Sequence, residues 1–110
     1  MSSRGYLGEF EHVTLLALLR LEEDAYGVTV RREIESRANR EVSIGAVYAT
    51  LDRLEAKGYV TSKIGDPTPK RGGRSKRFFR VTARGLEALN RTQRSLQRMT
   101  EGLDLVGSLR

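Results

Sequence analysis

Apolar residues first recur along the chain at three- and four-residue steps and later at every second position. Between Glu9 and Leu21, Phe10, Val13, Leu16 and Leu19 lie beside Leu15 and Leu18 on neighbouring stripes, a wide apolar face that predicts a central helix. Glu22-Glu23-Asp24 ends it, and Asp24 is the expected cap of a second helix with Tyr26, Val30, Ile34 and Ala38 on its inner side. Asn39 and Arg40 close that segment. Ser43 is the best N-cap of the chain, leading into a third helix whose Ile44, Val47, Leu51 and Leu54 repeat at helical spacing and which Gly58 stops.

After Gly58 the period drops to two. Tyr59 to Ile64 and Arg77 to Val81 alternate with β-branched or aromatic residues and read as an antiparallel pair. The connection carries Gly65-Asp-Pro-Thr-Pro and Gly72-Gly73, so it is a long loop, about residues 65–77, and not a tight turn. Phe78 and Phe79 are expected to anchor the returning strand. Thr82 then caps a last helix, expected from Ala83 to about Gly107 and so on the order of 37 Å long. Leu86 and Leu89 are expected to pack on the parent domain. Leu96, Met99, Leu103 and Val106 continue the apolar spacing beyond its reach and predict a dimer seam. The expected fold is mainly α with a small β-hairpin: a winged helix-turn-helix over residues 1–82 and a long C-terminal dimerisation helix over 83–110.

Charge sharpens this outline. The chain of 110 residues has a formal net charge of +6, but residues 1–66 hold nine Lys/Arg against eleven Asp/Glu, and residues 67–110 hold eleven against three. No acidic residue occurs between Asp66 and Glu87. Lys70, Arg71, Arg74, Lys76 and Arg77 crowd the tip of the hairpin, as expected of a wing that neutralises phosphates. Gly73, with Gly72, lets the main chain come close. On the third helix Tyr48 is expected on the outer face with Gly45, Ala49 and Asp52. Gly45, Ala46 and Ala49 are small enough for close approach to a groove, and Thr50 and Arg53 are the candidate polar readers. Arg53 could instead pair with Glu41, Asp52 or Glu55. Tyr26 either helps present backbone N–H groups to a phosphate or anchors the core.

Other chemistries find little support. The chain has no cysteine and a single histidine, which excludes thiolate metal sites and leaves neither a triad nor a metal-ligand set. His12 is expected to be exposed or to face a partner. No Gly-rich stretch follows a strand as a nucleotide-binding loop requires, so neither enzyme activity nor a cofactor is expected. The apolar run Val13 to Leu21 is too short to span a bilayer. Without a signal peptide or cysteines, the expected location is a reducing compartment such as the cytoplasm, with no membrane partner. Arg71-Gly-Gly-Arg74 is similar to RNA-binding segments, but those come in repeats and this is one copy.

The blocks Leu15-Leu-Ala-Leu-Leu19, Ala25-Tyr-Gly27, Ser43-Ile-Gly-Ala-Val-Tyr-Ala-Thr-Leu-Asp-Arg-Leu-Glu-Ala-Lys-Gly58 and Arg71-Gly-Gly-Arg-Ser-Lys-Arg-Phe-Phe-Arg-Val-Thr82 closely resemble the PadR family of bacterial transcriptional regulators. The resemblance runs from about Leu7 to Leu103 and is most specific in the third-helix block. It implies a homodimeric repressor of double-stranded DNA, often released by a small molecule, and it places Ser43 beside Gly45, Ala46, Tyr48 and Ala49 in the DNA-reading block. Many relatives carry proline where this chain has Ala49. A winged-helix protein-interaction module that docks an acidic partner is the alternative from a different class.

Overall fold

The computed structural model describes residues 5–65 and 75–107. Three helices come first: α1 over Glu9–Leu21, α2 over Gly27–Arg37 and α3 over Ile44–Ala56. The strands β1, Val60–Ile64, and β2, Arg77–Val81, pair antiparallel, with Val60 opposite Val81 and Ile64 opposite Arg77. Helix α4, Ala83–Thr100, follows. This is the order of a winged helix-turn-helix. Among the described residues no helix is long and apolar enough to cross a membrane.

The core lies where the first three helices meet the base of the hairpin. Leu15 and Leu18 of α1, Val30 and Ile34 of α2, and Val47, Leu51 and Leu54 of α3 are buried together with Val60 and Phe79 from the strands. Side chains of this size contribute roughly 1.5–3 kcal/mol each when fully removed from water. Two of the expected stops and starts follow directly from side-chain chemistry. Ser43 Oγ accepts the Ala46 N–H at 3.0 Å, and Thr82 Oγ1 accepts that of Gly85 at 3.1 Å, each satisfying an N–H that the helix itself cannot. Gly58, just past the end of α3, has φ +80°, a conformation that L side chains resist.

Several expectations are corrected. Asp24 does not cap α2: it belongs to a single 3-10 turn over Glu22–Asp24, and Tyr26 is the N-cap, its N–H donating to Thr29 Oγ1 at 3.0 Å. The buried stripe of α1 contains Leu15 and Leu18 with Glu11, His12, Thr14 and Ala17, whereas Leu16 and Leu19 remain exposed. Ala38 is exposed, and β1 starts at Val60 instead of Tyr59. His12 is buried, with Nε2 2.8 Å from Gln93 Oε1 of α4. Its outward placement fails because α4 lies over that side of α1.

The last helix differs most. It stops at Thr100, giving 18 residues and a length of about 27 Å, and Gly102 follows with φ +81°. Leu103 and Val106 therefore lie beyond the helix. Leu89 is buried as expected, but Leu86 is exposed, and the inward face of α4 is formed by Gly85, Ala88, Leu89 and Thr92. Besides His12 and Gln93, two contacts tie α4 to the N-terminal segment: Leu7 N–H donates to Thr92 Oγ1 at 3.0 Å, and Arg91 Nη1 donates to the Gly5 carbonyl at 2.7 Å.

Candidate nucleic-acid interface

Helix α3 is half core and half surface. Val47, Thr50, Leu51 and Leu54 point inward, while Gly45, Ala46, Tyr48, Ala49, Asp52 and Arg53 are exposed. At 100° per residue Gly45, Ala49 and Asp52 fall on one outer stripe, and the space over Gly45 is open. Helix α3 runs through Tyr48 and Ala49 without a break. Ser43 sits at its start with the hydroxyl committed to capping.

Thr50 does not belong on this surface. It is almost completely buried, and its Oγ1 accepts a hydrogen bond from Arg53 Nη2 at 3.1 Å. Its 3-4 spacing with Val47 and Leu54 turns it to the core. Arg53 keeps more than half of its side chain exposed, and its Nε approaches Glu11 Oε2 at 3.9 Å, so its acidic neighbour comes from α1 and is neither Glu41, Asp52 nor Glu55. Lys57 Nζ is closer to the same carboxylate, at 2.7 Å. Glu11 also accepts the Gly8 N–H at 3.1 Å and thereby joins the first turn of α1 to the last turn of α3.

Tyr48 leans toward the start of α2. Its ring lies so close to Gly27 that a Cβ there would collide with it, which explains why glycine follows Tyr26. Close approach of the two helices depends on that missing side chain. Tyr26 itself is half-buried, stacked edge-on against Phe78 at 5.4 Å, with Lys76 Nζ 4.6 Å above its ring. Its backbone pairs with Phe78 in an isolated bridge, and Phe79 N–H donates to the Ala25 carbonyl at 2.9 Å. Both expected anchors of the returning strand therefore grip the start of α2.

The hairpin enters the site from its base. Lys76 is exposed beside Tyr26, while Arg77 Nη1 is 3.0 Å from Asp52 Oδ1 and Nη2 pairs with Glu55 Oε1. Burial tends to lower the Arg77 pKa, but the hydrogen bonds to both carboxylates and their charges outweigh it and hold the pKa above its ordinary value. Lys70, Arg71, Gly73 and Arg74, the remaining wing residues, lie outside the described residues. Of the expected seam, Leu96 and Met99 project from α4 with 57% and 74% of their surface exposed. Leu103 and Val106, equally exposed, come after its end.

Three features had escaped the sequence: the Glu11 junction, the Gly27 contact and the Arg77 fork. Only Gly27 had a signal, in its place directly after the half-apolar Tyr26 at a helix start.

Known proteins share this architecture. The X-ray structure of a PadR-like transcription factor from Bacteroides fragilis superposes with a TM-score of 0.71 at 21% identity, covering 97% of this chain and 93% of that one. F93 from STIV, a winged-helix DNA-binding protein, superposes with a TM-score of 0.68 at 16% identity, over 90% of this chain and 99% of that one. Both share the winged-helix fold. In sequence, the transcriptional regulator Rv3488 of Mycobacterium tuberculosis is 34% identical over 80 residues, 71% of this chain and 68% of that protein. The profile of the transcriptional regulator PadR-like family matches residues 15–91, from the middle of α1 through both strands and into α4, and on that match the chain belongs to the PadR-like family of transcriptional regulators.

Proposed function

We propose that the chain is a DNA-binding repressor that reads a pseudo-palindromic operator as a homodimer. The observation that carries this reading is the outer stripe of α3. Gly45 and Ala49 leave its N-terminal part nearly bare of side chains, which suits a helix whose first turns must approach base edges in a major groove about 12 Å wide. Tyr48 and Arg53 flank the stripe as the polar contacts. Ser43, Ala46 and Tyr26 lie at or near the helix starts, where backbone meets phosphate. Lys70, Arg71, Arg74 and Lys76 of the wing neutralise the duplex backbone, with Gly73 allowing close approach. The second subunit is joined through Leu96 and Met99, with Leu103 and Val106 extending the contact.

Titration of the protein with duplex DNA at several salt concentrations tests the reading. Binding that is selective for one inverted repeat and that weakens steeply with salt supports it. Weak, sequence-indifferent binding would favour a protein-interaction module that docks an acidic partner.

A further inference from the structure

Both strands of the hairpin hold the same turn of α3. From β2, Arg77 Nη1 reaches Asp52 Oδ1 at 3.0 Å and Nη2 pairs with Glu55 Oε1. From β1, Ser62 Oγ donates to Glu55 Oε2 at 2.7 Å. The guanidinium also lies 4.8 Å above the ring of buried Phe79, which fixes the side chain in its fork geometry. Asp52 is on the same outer stripe as Gly45 and Ala49, and its side chain is 60% exposed. A free Asp52 carboxylate on that stripe, with Glu55 half-buried beside it, would face the polyanion that the stripe is meant to approach.

We infer that Arg77 is a positioning residue of the interface: it cancels part of the negative charge on α3 and fixes the base of the wing to that helix, and it does not serve as a phosphate contact. This rests on the DNA-binding reading above. Two of the five N–H donors of the guanidinium are held by the carboxylates, whose negative charges also offset its attraction for a phosphate. Without it, Asp52 and Glu55 would repel the backbone, and the wing would lose its fixed angle to α3. Lysine is a poor substitute, because a compact ammonium on a flexible stem has neither the planar pair of nitrogens that spans both carboxylates nor the flat face that stacks on Phe79.

The test is a cycle of Arg77→Gln, Asp52→Asn/Glu55→Gln and the triple variant, with Arg77→Lys beside them. Each is melted without DNA and titrated with operator and random duplex. Arg77→Gln is expected to lower the melting midpoint and weaken binding about tenfold. In the Asp52→Asn/Glu55→Gln background the same change should barely move the midpoint and should cost less than about threefold in binding. Arg77→Lys should bind closer to Arg77→Gln than to the parent. Equal loss from Arg77→Gln in both backgrounds, or parent-like binding by Arg77→Lys, would make Arg77 a simple phosphate contact and overturn the inference. If the parent bound no duplex, the DNA-binding reading would fall and the groove-side role with it. The coupling in the melting midpoints would still decide whether Arg77 neutralises the pair.

Discussion

Glu11 is a carboxylate at the start of the first helix that ends up nearly buried against the end of the third. Burial tends to raise its pKa, but the Lys57 hydrogen bond, the Gly8 N–H and the charges of Lys57 and Arg53 outweigh this and hold it below the ordinary value of 4.5. The folded pKa is thus lower than the unfolded one, so ionised Glu11 stabilises the fold above the ordinary carboxylate range. That contribution is lost as the pH falls through the folded pKa. Melting midpoints measured between roughly pH 6 and pH 3 should fall less steeply for Glu11→Gln than for the parent, and an unchanged slope would remove Glu11 as an acid-sensitive joint. Tyr48 can be probed from both sides of its contact. If it reaches DNA, Tyr48→Ala should weaken specific binding by about 1–3 kcal/mol while sparing random duplex more. Gly27→Ala should displace the ring and reproduce much of that loss without touching Tyr48. Full operator affinity in both variants would make Tyr48 a packing residue only.

At the scale of elements, the wing and the recognition helix are expected to divide the work. Neutralising two of Lys70, Arg71 and Arg74 should weaken binding to all duplexes alike and flatten the salt dependence by about one unit per lost phosphate contact. A double variant with parental affinity and salt slope would reduce the wing tip to a solvated loop. The elements that the sequence makes legible are those with local signals. Ser43 and Thr82 advertise helix starts, Gly58 an end, and the switch from helical to alternating spacing marks the hairpin. The spacing of α3 also separates its bare stripe from its core. What stays hidden depends on partners distant in sequence. Glu11, His12 and Thr50 look like outward positions because they are polar, yet each is buried where Lys57, Gln93 or Arg53 supplies a hydrogen bond. Arg77 looks like one more wing charge until β2 brings it against Asp52 and Glu55. The overlong last helix has a simpler cause: Leu103 and Val106 prolong the apolar spacing, and this masks Gly102, whose positive φ ends the turn.

For the whole molecule, the question is what covers the far half of α4. Gly85, Ala88, Leu89 and Thr92 face the body, and at 100° per residue Leu96 and Met99 continue that face past it. A second copy of the chain is the proposed cover. Glutamate at Leu96 and Met99 would set unpaired charges in such a seam, so the double variant should sediment as a folded monomer. It should bind the full operator far more weakly than the parent while binding an isolated half-site about as well, because the second half-site no longer acts at high effective concentration. A double variant that stays dimeric would move the seam elsewhere. The ties of Leu7 to Thr92, Gly5 to Arg91 and His12 to Gln93 join residues more than 80 positions apart. They close the longest hydrogen-bonded loops among the described residues, and the entropy of loop closure places such contacts late in folding. During synthesis, the three-helix body and its hairpin emerge before α4 can dock. The surface that would read DNA therefore forms ahead of the element that would pair two copies.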